Sequence, residues 1–388
     1  MRTIWKIRGI CTAYLALFSW TFPTSGQSSG SRGVALVVGN TQYAGQPLNN
    51  AVSDAADVAA ALTDLGLSVT LKENLDRTGL KQEIEKFRSA ASSDPGTAVF
   101  YYSGHGLQVN GMNYLIPIGI SASKPSDIPG QAISLQDIFD ALGPRTSPNV
   151  IILDACRANP FATPSAGGWV SGLAAPLNPP SNSVIAFSTA PGNLASDGVG
   201  THSPYTRALL RYIHTPGQSL TDLFARVTAD VSSNTDAVQV PWENISLSTT
   251  LYFRKPIIVT ITLSSADDDA MVMVNGETVA DWNQDQSAAK SVVLSSLTNS
   301  IVVKVYNQKS YTGGIPYVTW RPEGWHYGVN IADGEGKLLA HFEGSEDVPL
   351  DNGPHHGKLF TVATATLQID EKTGHLSISA KDPNTWQH

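Results

Sequence analysis

The chain has 388 residues, length for two domains, and only 15% of them are charged against about 25% in an average globular protein. With 41% hydrophobic residues, 33 Gly, 23 Pro and two Cys, it falls outside the disordered, coiled-coil, multipass-membrane and disulfide-scaffold classes. A formal charge of −8 offers no electrostatic footprint for nucleic acid or an anionic membrane surface.

Arg2, Lys6 and Arg8 precede an apolar run from Ile10 to Trp20, which gives way to Thr21-Phe-Pro-Thr-Ser-Gly26. This is a secretory-signal pattern, and the run is about half the ~20 residues a membrane-spanning helix needs. Residues 1–26 are therefore expected to be a signal peptide and 27–31 a linker, with an uncleaved anchor as the alternative. Cutting after Gly26 removes three positive charges and no negative ones, taking −8 to −11. It also removes Cys11 and leaves Cys156 as the one thiol of an exported chain, which points to an intermolecular bond or a reactive cysteine.

From Arg32 to Phe253 strands and helices alternate. Val34–Val38 is a continuous apolar run, the mark of a strand buried on both faces. Val52, Ala55, Ala59, Leu62 and Leu65 lie along one helical stripe, Ser68–Leu71 reads as a second strand, and Leu80, Ile84, Phe87 and Ala91 mark a second helix. Ala98–Tyr102 is a third strand, broken by Ser103-Gly-His-Gly106. Ser134-Leu-Gln-Asp137 opens a capped helix with Leu135, Ile138, Phe139 and Leu142 inward. Val150–Leu153 is a fourth strand running into Asp154-Ala-Cys156, and Val184–Ser188 a fifth. Helices from Ser203-Pro204 and over Leu220–Val231 follow, then a last strand near Thr249–Phe253. Such alternation implies an α/β domain over 32–253, a mostly parallel sheet with helices on both faces.

Residues 254–388 follow a different rule. Ile257–Leu263, Ser300–Tyr306 and Thr361–Ile369 alternate apolar and polar residues, Met271–Val274 meets the hairpin signal Asn275-Gly276, and there is no helical stripe. This predicts an all-β sandwich of jelly-roll type.

In an open parallel sheet, ligands bind beyond the carboxyl ends of the strands. Here His105 follows the third strand and Cys156 the fourth, and consecutive strands commonly lie side by side. An imidazole beside a thiol makes it a nucleophile by taking its proton or holding the thiolate. The backbone N–H groups of Gly106 and Cys156 are candidates for the oxyanion that forms on a peptide carbonyl. Taken singly, Cys156 reads as a small core residue and His105 as a loop histidine; their shared placement favours the dyad.

Tyr101-Tyr-Ser-Gly-His-Gly106 and Ile151-Ile-Leu-Asp-Ala-Cys-Arg157 resemble the histidine and cysteine motifs of caspase-like cysteine peptidases, most closely the bacterial metacaspase-related members called orthocaspases. Segments Arg32–Tyr43, Leu48–Leu62, Asn113–Pro117, Ser188–Gly192, Ser203–Thr206 and Val240–Glu243 extend the resemblance across about 32–253. It implies the caspase–hemoglobinase fold, with His105 as base and Cys156 as nucleophile. It also implies a specificity pocket of Asp54, Ser103 and Asp154. Two carboxylates facing one slot attract Lys or Arg and repel acids, so the expected substrates are proteins or peptides cut after Arg or Lys. Against this, Asp54 also reads as a first-turn acid of a helix and Asp154 as a hydrogen-bonded turn. The expected location is a bacterial periplasm or the extracellular space.

Calcium-dependent metacaspases carry an aspartate cluster. Arg157–Val170 and Asn113–Ser123 contain no acid, so calcium-independent activity and no cofactor are expected. No spacing suggests zinc, and His355-His356 reads as a solvated turn. Between Arg157 and Arg207 there is no Lys or Arg, so a peptidase of basic specificity is expected to work as an uncut chain. Arg254-Lys255, at the domain junction, is the expected exposed self-cleavage site, with cleavage after Arg254. In the β domain, Trp282, Trp320, Trp325 and Trp386 read as core residues or as a carbohydrate- or protein-binding surface, and Asp267-Asp-Asp269 as a charged turn or a calcium site. The alternative to a peptidase is an inert caspase-like scaffold whose β domain binds an extracellular or cell-surface partner.

Overall fold

The computed structural model of the chain describes residues 33–143, 145–155, 159–161, 169–170, 172–266, 269–281, 289–294, 296, 298–306, 323–334, 336–348, 359–370 and 376–381. The expected signal and linker, Cys156, Asp267, Asp268, Trp282, Trp320, His355, His356 and Trp386 lie outside those residues.

The first apolar run is β1 (Gly33–Gly39), buried from end to end; α1 (Ala51–Asp64), β2 (Ser68–Glu73), α2 (Arg77–Ser93) and β3 (Thr97–Ser103) follow. Alternation then pauses. The strands β4 (Gly106–Val109), β5 (Met112–Leu115) and β6 (Ile133–Ser134) make a small antiparallel sheet of their own. Next come α3 (Leu135–Leu142), β7 (Asn149–Asp154), β8 (Ser183–Phe187), α4 (Pro204–Tyr212), α5 (Leu220–Asn234) and β9 (Trp242–Ile245). The main sheet runs β2-β1-β3-β7-β8-β9, parallel at every pairing except β8 with β9.

Side chains alternate across a strand, and here both faces are covered. Leu36, Val38, Phe100, Tyr102, Ile151 and Leu153 share a core with α2 and α3. Ala35, Val37, Val99, Tyr101, Val150 and Ile152 share one with α1, α4 and α5. The four positions predicted for α2 are all buried, and Asp76 caps the helix by accepting from the Gly79 N–H at 2.7 Å. In α3, Ser134 and Asp137 form the expected capping box over the expected buried face. In α1, Val52 is only half-buried, Val58 joins the stripe, and a carboxylate, Asp54, sits within it.

One predicted strand is wrong. Thr249–Phe253 forms no strand; the last one is Trp242–Ile245, whose Phe187↔Trp242 to Val184↔Ile245 register closes the sheet edge. The alternation at 249–253 has another cause. Phe253 is buried and Leu251 partly buried against the helices, while the Leu251 carbonyl accepts from the Leu220 N–H at the start of α5.

Beyond Pro256 the described elements are β10 (Ile257–Ala266), β11 (Asp269–Val274), β12 (Glu277–Asp281), β13 (Ala289–Leu294), β14 (Thr298–Tyr306), β15 (Glu323–Asp333), β16 (Leu338–Val348), β17 (Leu359–Ile369) and β18 (Leu376–Lys381). They form two antiparallel sheets, β13-β10-β15-β16 and β12-β11-β14-β17-β18. Alternate residues of both, among them Val259, Ile261, Val272, Ile301, Val329 and Leu367, enclose one core, as a sandwich requires. Asn275 and Gly276 both take positive φ and turn β11 into β12.

Candidate active site

Adjacent parallel strands bring the two motifs together. The pairing of β3 with β7 sets Ser103 opposite Asp154, so the residues just after each strand leave the sheet side by side. The Gly104 N–H donates to the Asp154 carbonyl at 3.4 Å, and Asn40 donates its N–H to the Ser103 carbonyl at 2.9 Å. A Cβ added to Gly106 would lie 3.1 Å from the Ala155 Cβ. Gly106 therefore stands against Ala155, whose carbonyl accepts from Ser188 Oγ at 2.8 Å; Cys156, one residue further on, is outside the described residues.

His105 is buried, and its Nε2–H donates to the Gln46 carbonyl at 2.9 Å, a bond that leaves the lone pair on Nδ1. Its ring meets the Tyr43 ring edge-on, centroids 4.5 Å apart. Two buried phenols hold its backbone. The His105 N–H donates to Tyr43 Oη at 3.1 Å, Tyr102 Oη donates to the His105 carbonyl at 3.1 Å, and both hydroxyls reach the Ile116 carbonyl at 3.0 and 2.8 Å. Burial first, then the neighbouring Tyr43, pushes the Tyr102 phenol well above its ordinary value, so it remains a hydrogen-bond donor. A Cβ on Gly104 would lie 2.6 Å from both phenol oxygens, so only glycine fits between the strand and the histidine. Next, β4 and β5 turn back through Asn110 and Gly111, both at positive φ, and the His105 carbonyl accepts from the Ile116 N–H.

The period of two also fixes the candidate pocket. Tyr101 and Ser103 on β3, with Ile152 and Asp154 on β7, point to the face covered by α1 and α4. Asp54, Ser103 and Asp154 are all 0% exposed. Asp154 Oδ2 accepts from Ser203 Oγ and, at 2.8 Å, from Thr206 Oγ1, which is also 2.6 Å from Tyr101 Oη. Asp54 Oδ1 accepts from the Ser203 N–H at 3.2 Å and from His202 Nδ1 at 2.9 Å. Ser203, the N-cap of α4, thus touches both carboxylates. Ser103 Oγ has no hydrogen-bond partner among the described residues. The three pocket residues expected from sequence come together at one place. Sequence reasoning missed His202, Thr206, Tyr43 and Tyr102 as parts of the site. The signals were a charged residue inside the apolar stripe of α1 and an N-cap serine directly preceded by a histidine.

The loop ahead of α4 is stitched to α1. The Asn49 N–H donates to Asp197 Oδ2 at 2.6 Å, Asn50 Nδ2 to the Asp197 carbonyl at 2.6 Å, and Ser53 Oγ to the Thr201 carbonyl at 2.7 Å. Arg254 corrects an expectation. It is 8% exposed: its guanidinium donates to the Asp370 carbonyl at 3.3 Å and its own carbonyl accepts from the Gly217 N–H at 3.1 Å. Arg254 is therefore buried where an exposed site was expected, while Lys255 beside it is exposed. Among the described residues no cluster of three or more metal-ligating side chains occurs, and no helix is long and apolar enough to cross a membrane.

Comparison with known proteins gives a family. The Caspase domain family model matches residues 32–252. Caspase-1 from Sus scrofa is 27% identical over 144 residues, covering 35% of this chain and 33% of that protein, and Caspase-1 from Equus caballus matches to the same extent. The chain thus spans about a third of the length of these curated relatives. The crystal structure of Caspase-1 from Spodoptera frugiperda aligns with a TM-score of 0.43 at 19% identity, over 61% of this chain and 98% of that one.

Proposed function

The chain belongs to the Caspase domain family, and from that premise we propose that it is an exported cysteine endopeptidase of metacaspase-related type, cutting proteins or peptides after Arg or Lys. The observation that carries the reading is the burial of two carboxylates, Asp54 and Asp154, on either side of Ser203, beside the strand ends that lead to His105 and Cys156. A substrate guanidinium entering beside them gains charge-assisted hydrogen bonds, and an acidic side chain there is repelled.

In the proposed reaction the His105 Nδ1 lone pair takes the Cys156 thiol proton and the thiolate attacks the scissile carbonyl. The backbone N–H groups of Gly106 and Cys156 hold the oxyanion. Imidazolium then returns the proton to the leaving amine, and water hydrolyses the thioester. The Nε2–H···O bond to Gln46 supports this role by keeping Nδ1 unprotonated until the thiol proton arrives. Activity needs no calcium, since the segments after Cys156 and around Asn113 lack acids. The peptidase acts as one chain: residues 158–206 contain no Lys or Arg, and the loop that carries His202 and Ser203 is part of the pocket wall.

The test compares wild type with Cys156→Ala on fluorogenic peptides ending in Arg, Lys or Asp, with and without chelator. Cleavage of the Arg and Lys peptides by wild type alone, unaffected by chelator, is the expected result. Cleavage after Asp in preference to Arg refutes the pocket, and identical behaviour of the two proteins on every peptide refutes the enzyme.

A further inference from the structure

His202 is not used by the chemistry above, yet its ring lies between two acids of α1. Nδ1 is 2.9 Å from Asp54 Oδ1 and Nε2 is 3.1 Å from Asp57 Oδ2. A carboxylate only accepts, so both contacts are attractive together only when each ring nitrogen carries a proton. Side-chain exposure falls inward along the line: Asp57 58%, His202 18%, Asp54 0%. The imidazole stands between solvent and the inner carboxylate.

We propose that protonated His202 is a built-in counter-ion seated where a substrate Arg or Lys must bind beside Asp54, which makes His202 a specificity-determining residue. The inference rests on the basic-pocket reading. A cationic side chain offers Asp54 the charge that His202 already supplies, and displaces the ring outward toward Asp57. A neutral side chain offers nothing in exchange and leaves the ring in place. Selection for a cation therefore comes from replacement of one positive charge by another, at a carboxylate that stays paired throughout. Among the described residues the acids in contact with the ring are Asp54 and Asp57 on α1, with Asp154 at the end of β7 on the other side of Ser203.

The experiment measures KM and kcat for a peptide ending in Arg and for its citrulline isostere, with wild type, His202→Asn and Asp57→Asn. Asp57 is on the outer surface of α1, so Asp57→Asn weakens the seat of the ring with little risk to folding. Relative to wild type, His202→Asn should lower KM for the Arg peptide roughly five-fold, the upper end of the range for exposed ion pairs. KM for the citrulline peptide should stay within two-fold of wild type, with kcat little changed. Asp57→Asn should move KM the same way by less. An unchanged KM for the Arg peptide, an equal drop in KM for both peptides, or a KM raised by either variant overturns the counter-ion role while Arg is still preferred over citrulline. Equal cleavage of Arg and citrulline peptides by wild type overturns it differently, by removing the basic pocket itself.

Discussion

Gly104→Ala isolates the contact between the strand and the histidine. The new Cβ would lie 2.6 Å from Tyr43 Oη and from Tyr102 Oη, against 3.4–4 Å for ordinary contact, so each phenol must retreat by about 0.8 Å. Both rings are buried, which leaves little room for this. Such a shift stretches the Tyr102–Ile116, Tyr43–Ile116 and Tyr43–His105 bonds from 2.8–3.1 Å beyond hydrogen-bonding range. Overpacking costs about 1–3 kcal/mol, and two or three weakened hydrogen bonds cost about 1 kcal/mol each. The expected destabilisation is therefore about 3–6 kcal/mol, read as a lower urea midpoint at unchanged m. Because these phenols also hold the His105 backbone, kcat/KM on an Arg peptide should fall about 100-fold, the penalty for ångström-scale misplacement of a catalytic group. Placing Gly104→Ala in a Tyr43→Phe background removes one of the two clashes and should restore part of the lost stability. A variant with wild-type midpoint and kcat/KM within two-fold would refute the reasoning.

Other outcomes follow from the same geometry. Asp154→Asn should raise KM for Arg peptides about 10–100-fold, the value of a charge-assisted hydrogen bond, and leave a citrulline peptide unaffected in a paired assay. Ser134→Ala removes the cap of α3 and should cost about 1 kcal/mol in chemical denaturation. Burial raises the Glu243 carboxyl in the fold, only partly offset by the hydrogen bond from Thr228. With the folded value above the unfolded one, this group favours the fold most below the unfolded carboxylate range and loses that contribution as pH rises through the folded value. Glu243→Gln should therefore gain stability relative to wild type near pH 7 and show little difference near pH 3, measured as Tm against pH. A Tm difference independent of pH would contradict that sign.

Much of the architecture was legible because buried parallel strands write themselves as unbroken apolar runs: β1, β3, β7 and β8 appear within a residue or two of their predicted limits. The helices were read from stripes and caps, as at Ser134 and Ser203. The hairpin of β4 and β5 was missed although Asn110-Gly111 announces it, because the strands are four residues each and the glycines beside His105 drew the reading toward a loop. Thr249–Phe253 misled because residues inserted into a core at every second position look like a strand whether or not they pair. Arg254 misled for a different reason: an Arg-Lys pair between domains reads as solvated, and burial of Arg254 by Asp370 and Gly217 depends on contacts 116 and 37 residues away. Asp54 and Asp154 were found through resemblance. Their junction at Ser203 and the ring of His202 was beyond sequence, since it joins α1, β7 and α4 only in three dimensions.

The most direct test of the central claim is covalent labelling by a peptidyl chloromethyl ketone ending in Arg, with its Asp-ended counterpart as control. Cys156 Sγ attacks the methylene carbon and chloride leaves, so peptide mapping reports the nucleophile and the pocket together. The predicted result is one adduct per chain, on Cys156, formed by the Arg reagent and not the Asp reagent, with activity lost in proportion. Rapid labelling of Cys156 by the Asp reagent, or cleavage of Arg peptides that persists after full modification of Cys156, would contradict the account.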